Sequence, residues 1–218
     1  MLKHLDWGLI PYGQAYEQQQ ALFAEALRQK SAGEAVQNTV VFCEHPPVFT
    51  LGKHGLASNL LASEAALAVR GIEVFAIDRG GDITCHCPGQ LVVYPIIDLE
   101  VFHIGLKTYI HRLEEAIIRV LAVFGICGER LDGATGVWLD RDDPRRARKI
   151  AAIGVRCSRY ITMHGLALNV NTDLGYFKLI NPCGFVDKGV TSMQQELGRE
   201  VDMDAVKRLF DEYWTFDI

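Results

Sequence analysis

The chain has 218 residues, about 1.5 times the length of a typical domain, which limits it to one large domain or a domain with an appendage. Hydrophobic residues at 49% and charged residues at 22% match ordinary globular proteins and exclude a disordered, collagen-like or coiled-coil chain. With 22 Lys and Arg against 27 Asp and Glu, a net charge of −5, the chain as a whole carries no footprint for nucleic acid, so any anion-binding surface must be local.

No apolar stretch approaches the ~18 residues of a membrane-spanning helix; the most apolar region, 90–99, is short and contains Pro95. Residues 1–12 mix Lys3, His4 and Asp6 with Trp7 and Pro11 and lack the apolar core and small-residue cleavage site of a secretory signal, so a cytoplasmic location is expected. The six cysteines are scattered and none forms a C-x-x-C pair, which favours reduced thiols.

In chain order, 13–30 places Tyr16, Phe23, Ala26 and Leu27 on one stripe and predicts an amphipathic helix ending near Gly33. Short strands are expected at 38–42 and 48–51, separated by the rigid turn Glu44-His45-Pro46-Pro47. Ser63 caps a short helix over 63–70, Gly71 stops it, and a strand follows at 72–77. The runs 83–86 and 90–97, joined by Cys87-Pro88-Gly89, predict a hairpin. From Leu106, the residues Ile110, Leu113, Ile117, Val120, Leu121 and Phe124 give the clearest 3.6-residue period of the chain, ending at Gly125. Strands are expected at 135–139, 150–156 and 161–170, with the highly charged 140–149 between the first two as a solvated loop. A closing amphipathic helix is expected at 202–216. With no linker and no repeat, the reading is a single α/β domain over 1–218, a mixed β-sheet with flanking helices.

Three places offer chemistry. The run Arg79-Gly80-Gly81-Asp82-Ile83-Thr84-Cys85-His86 follows a predicted strand, and its paired glycines let the backbone approach a ligand; the same pattern also suits a glycine-rich turn with a packed His. It is not a P-loop, because the Lys and the following helix are missing. Cys183, in Asn181-Pro182-Cys183-Gly184, stands on a turn; a thiol with an ordinary pKa of roughly 8.5 needs a nearby cation or base to react well, and taken alone it reads as an inert small hydrophobe. His86 and His164 each read equally well as core histidines. A Cys–His protease finds no local signature, and zinc at Cys85, His86 and Cys87 is disfavoured because adjacent strand residues face opposite sides.

Taken together, Arg79-Gly-Gly-x-x-Thr-x-His86-x-Pro-Gly-Gln90-Leu-Val-x-Tyr94, Lys149-Ile-Ala-Ala-Ile-Gly154, His164-Gly-Leu-Ala-Leu-Asn169 and Asn181-Pro-Cys183-Gly184 resemble the lipoyl(octanoyl) transferases, and Glu44-His45-Pro46-Pro47 with Thr50-Leu51-Gly52 resembles their early motif. The resemblance implies the α/β catalytic fold of biotin and lipoate protein ligases. It further implies transfer of an octanoyl or lipoyl group from acyl carrier protein to a lysine of lipoyl domains, including those of 2-oxoacid dehydrogenases and the glycine cleavage H protein. The acyl group would travel as a thioester on Cys183 with Lys149 as its partner, without cofactor or metal. By the same resemblance, Arg79, Gly80, Gly81, Asp82, Ile83, Thr84, Cys85, His86, Ala152, Ile153, Gly154, Gly165, Leu166 and Ala167 would line the acyl site.

On that reading, either an ammonium at Lys149 stabilises the thiolate or a neutral Lys149 removes the thiol proton, and backbone N–H groups near Gly154 or Cys183 are candidate oxyanion donors. The segment with Arg141, Arg145, Arg146, Arg148 and Lys149 supplies local positive charge for acidic carrier proteins, set against Asp140, Asp142 and Asp143. One residue departs from the family pattern: Cys87 stands where glycine is usual and would be strained if the position required φ > 0. The alternatives are an ATP-dependent lipoate or biotin ligase on the same fold, and a non-catalytic protein that binds carrier domains.

Overall fold

The computed structural model describes residues 2–181 and 189–214. Its main sheet has eight strands: β1 (Lys3–Leu9), β2 (Thr39–Glu44), β6 (Gln90–Ile96), β10 (Ile161–Asn169), β9 (Arg148–Ser158), β8 (Ala134–Leu139) and β7 (Glu129–Leu131) in spatial order, with β11 (Gly189–Val190) beside β9. Neighbours are antiparallel except the parallel pairs β1–β2 and β9–β11. A second sheet orders β4 (Glu73–Ala76), β3 (Val48–Leu51) and β5 (Ile83–His86).

Helices cover both faces of the main sheet, and strand periodicity assigns residues to each. Val40, Phe42, Leu91, Val93, Leu166 and Leu168 pack with α3 (Leu106–Val123) and α5 (Met203–Tyr213). Val41, Cys43, Val92, Ile96, Met163 and Ala167 face the side taken by α1 (Tyr12–Ser31). The α3 stripe of Leu113, Ile117, Val120 and Leu121 is fully buried, at roughly 1.5–3 kcal/mol per side chain, which outweighs the modest propensity cost of its β-branched residues. Strand β10 lies in mid-sheet with all nine residues buried, as expected of a strand covered on both faces. Side-chain caps fix the short helices: Ser63 accepts from Ala66 N at α2 (Glu64–Val69), Ser192 from Gln195 N at α4 (Met193–Leu197), and Asp202 from Asp204 N at α5.

Several expectations need correction. The runs 83–86 and 90–97 do not form a hairpin: β5 pairs with β3 in the small sheet, whereas β6 pairs with β2 and β10 in the large one. Cys87-Pro88-Gly89 is instead a crossing between sheets, as is Glu44-His45-Pro46-Pro47 between β2 and β3, and Gly89 N donates to the Glu44 carboxylate at 2.7 Å, tying the two crossings together. Gly89 has φ +81°, and a Cβ there would overlap the Asn171 backbone. The charged segment is a loop only as far as Ala147; Arg148 and Lys149 begin β9. The edge strands β1 and β7 and the two-residue β11 carry no internal signal and were not expected.

Candidate active site

Strands β9 and β10 pair in register with Gly154 opposite Gly165 and Ala152 opposite Ala167. All four line the same cavity, so two successive rungs offer almost no side chain and the sheet sinks into a trough. The cavity has a volume of about 470 Å³. Its roof includes Arg79, Gly81, Asp82, Ile83 and Thr84. Gly80 N donates to Val155 O at 2.9 Å, and a Cβ on Gly154 would come within 2.8 Å of Gly80 O, so the floor must be glycine where the roof crosses. Arg79 is buried and stitches the roof to β3: its Nη2 donates to Thr50 O at 2.6 Å and its Nη1 to Gly80 O at 3.0 Å.

At one end stands Lys149. Its Nζ donates to Thr135 O at 3.2 Å and lies 4.7 Å from the ring centroid of Trp138, which is itself buried and donates its Nε1–H to Ala134 O at 2.8 Å. A carbonyl oxygen and a π face both favour a positively charged amine. Val190 pairs with Lys149 across β11–β9, and Thr191 N donates to Lys149 O at 2.9 Å.

Polar groups along the cavity form two networks whose proton positions follow from their partners. Gln90 Nε2 donates to Cys85 O and Asn169 Oδ1, so Gln90 Oε1 accepts from His86 Nδ1 at 2.8 Å; Asn169 Nδ2 in turn donates to Thr191 O at 2.9 Å. His45 Nδ1 donates to Ile10 O at 2.8 Å, leaving Nε2 to accept from Tyr94 Oη at 2.7 Å. Burial keeps both imidazoles neutral, with the His45 pKa lowered to about 4 and that of His86 to about 3. At the far end, His164 Nε2 donates to Asp78 Oδ1 at 2.9 Å, and Arg156 pairs with the other Asp78 oxygen. Burial of Asp78 opposes its charge, but His164 and Arg156 hold its carboxyl below the usual range, whereas burial lowers His164.

The expected site residues distribute as follows. Lys149, Arg79, Gly81, Asp82, Ile83, Thr84, His86, Ala152, Ile153, Gly154, Gly165, Leu166 and Ala167 all line this cavity, and Gly80 bonds the roof to the floor at its side. Cys85 departs from that expectation: its side chain is buried with Phe49, Leu67, Ile72 and Cys87 beneath the small sheet. Cys183 lies outside the described residues. Gly154 lines the cavity floor five residues along β9 from Lys149. Cys87 is absent from the residues with positive φ and is fully buried, so it is unstrained; Cys85 and Cys87 are both free thiols. Of the basic segment, Arg148 is engaged by Glu196 and Asp140, and Arg146 by Asp140.

Sequence reasoning missed Tyr12, Trp138, Asp78 and the cavity-facing role of His164. Only His164 carried a signal, its place in the β10 motif; the fold alone brings Tyr12 and Trp138 to the cavity, and Asp78 touches the site only through its bond to His164.

Comparison with known proteins gives the family and the fold. Residues 14–215 match the family model of the lipoyl protein ligase A/B catalytic domain. An octanoyltransferase of Bacteroides thetaiotaomicron is 59% identical over 94% of this chain and 89% of its own length. The chain belongs to the octanoyltransferases. An octanoyltransferase of Parabacteroides distasonis is 56% identical over 94% of this chain and 93% of its own. The fold extends further: a bipartite lipoate protein ligase from Thermoplasma acidophilum superposes with a TM-score of 0.72 at 15% identity, over 98% of this chain and 82% of that one. Among the described residues of the enzyme, no helix is long and apolar enough to cross a membrane.

Proposed function

We propose that this octanoyltransferase takes the octanoyl group from acyl carrier protein as a thioester on Cys183 and passes it to a lysine of a lipoyl domain, with Lys149 managing the protons. One cytoplasmic domain spanning 1–218 carries both half-reactions. In the first, the Cys183 thiolate attacks the carrier thioester, the carbon–sulfur bond to the carrier breaks, and the departing thiolate takes a proton from Lys149. In the second, the acceptor amine attacks the Cys183 thioester, its proton passes to Lys149, and the Cys183 thiolate leaves. A lysine that begins charged suits this order, since it stabilises the resting thiolate and is neutral when the second proton arrives.

The observation that carries the reading is the trough of Ala152, Gly154, Gly165 and Ala167 ending at Lys149, an apolar slot whose end holds a proton carrier. Burying an octanoyl chain there contributes about 0.8 kcal/mol per methylene. Incubation with octanoyl acyl carrier protein should add one octanoyl mass to the Cys183 peptide, with discharge on addition of a lipoyl domain. The adduct should be absent in Cys183→Ser and form slowly in Lys149→Ala. Full turnover by Cys183→Ser, or a requirement for ATP, would overturn the reading in favour of a ligase.

A further inference from the structure

Along β10, odd-numbered residues such as Met163 and Ala167 face α1 and even-numbered ones such as Leu166 and Leu168 face α3 and α5. His164 breaks this alternation. Its φ of +61°, a conformation that side chains other than glycine rarely adopt, turns the imidazole onto the α1 side, where it lines the cavity and stacks on Tyr16 of α1 at 5.9 Å between centroids. The hydrogen bond from Nε2 to Asp78 then fixes the ring. Beyond the Gly154–Gly165 rung, the next rung on this face is Arg156–Met163, so the trough changes abruptly from glycine to large side chains.

We propose that His164, locked by Asp78, is a specificity-determining residue: it is the end wall that limits the acyl chain to about eight carbons. The limit is one of length, and it rests on the acyl-transfer reading above. From Lys149 to Val155, the β9 partner of His164, the strand advances about 17 Å at ~3.4 Å per residue, because the bulge opposite Val137 and Trp138 absorbs one residue. With carbon–carbon bonds of about 1.52 Å at angles near 111°, the lysine side chain and thioester span about 10 Å and an extended octanoyl chain about 9 Å. An octanoyl methyl thus arrives at His164. Four further carbons need about 5 Å more, which the imidazole occupies.

The test is a chain-length profile. Carrier protein loaded with hexanoyl to dodecanoyl groups is offered to the wild type, His164→Asn and His164→Gly, both replacements that tolerate positive φ, and transfer to a lipoyl domain is read by mass. Wild-type transfer should fall at least about 10-fold from eight to twelve carbons, and both variants should raise the dodecanoyl-to-octanoyl ratio at least about 10-fold. Binding of free octanoate and dodecanoate by calorimetry should give the same order without turnover, so a failure of acyl transfer itself is told apart from a failure of the end wall. Wild-type preference within about 2-fold across eight to twelve carbons overturns the proposal, even if the variants do not fold. Folded variants that keep the steep wild-type decline overturn it as well.

Discussion

Replacing Trp138 by Phe and by Leu separates the electrostatic part of that residue from its packing. The side chain is 1% exposed, and both replacements delete the Nε1–H bond to Ala134 O, worth about 1 kcal/mol, and leave a cavity costing about 2–4 kcal/mol. Both variants should therefore melt well below the wild type and close to each other. They differ in one respect: Phe keeps a π face near Lys149 Nζ, which stands 4.7 Å from the indole centroid, and Leu does not. A cation–π contact in a partly desolvated site contributes about 1 kcal/mol, or about 5-fold in rate if the ammonium form is the resting form. Single-turnover octanoyl transfer at fixed pH, quenched and read by mass, should be about 5-fold faster for Trp138→Phe than for Trp138→Leu at matched folded fraction. Equal rates would refute the claim that the ring holds a charged lysine.

Filling the floor should block the site without unfolding it: Ala152→Leu should lower octanoyl transfer at least about 10-fold while circular dichroism stays native, and unimpaired transfer would dismiss the trough as the acyl site. Stability should fall on mild acidification. His45 stays neutral in the fold down to about pH 4 while its unfolded counterpart protonates below ~6.5, so the unfolded state gains protons first and about 2 kcal/mol is lost by pH 5, measurable as a falling urea midpoint. His45→Gln should remove its share of that slope and leave the share of His86, whose pKa burial lowers further, to about 3. Arg145, which has no ion pair among the described residues, flanks a groove reaching Gly189 and Val190 beside the cavity. Reversing Arg145 and Arg146 to Glu should slow carrier association several-fold at low salt and little at high salt; no change at low salt would exclude steering.

The long helices α1, α3 and α5 were legible because their apolar stripes are long, as in Ile110 to Phe124, whereas the five-residue α4 is too short to show a period and was not expected. Strands β2, β6 and β10 were legible as apolar runs, but their partners were not: 83–86 and 90–97 read as a hairpin because a short Pro-Gly link normally makes one, whereas the Glu44 carboxylate and the Asn171 backbone around Gly89 make it a crossing. Edge strand β1 was invisible because its residues are mostly exposed and its pairing with β2 is decided at a distance. At the site, Ala152, Gly154, Gly165 and Ala167 could be named from motifs, yet that they form facing rungs depends on register, which no single strand encodes. Trp138 and Asp78 belong to no local pattern and reach the cavity only through β8 pairing and the Arg156–His164 cluster.

A floor already reduced to glycine and alanine has consequences for redesign. Nothing remains to be trimmed from it, so a version accepting bulkier or branched cargo cannot be obtained by carving downward into β9 and β10. Room must come from above, where Arg79 and its neighbours hang over the slot, or from its closed end. Libraries aimed at new acyl groups should leave Ala152, Gly154, Gly165 and Ala167 untouched and vary the ceiling and the closed end.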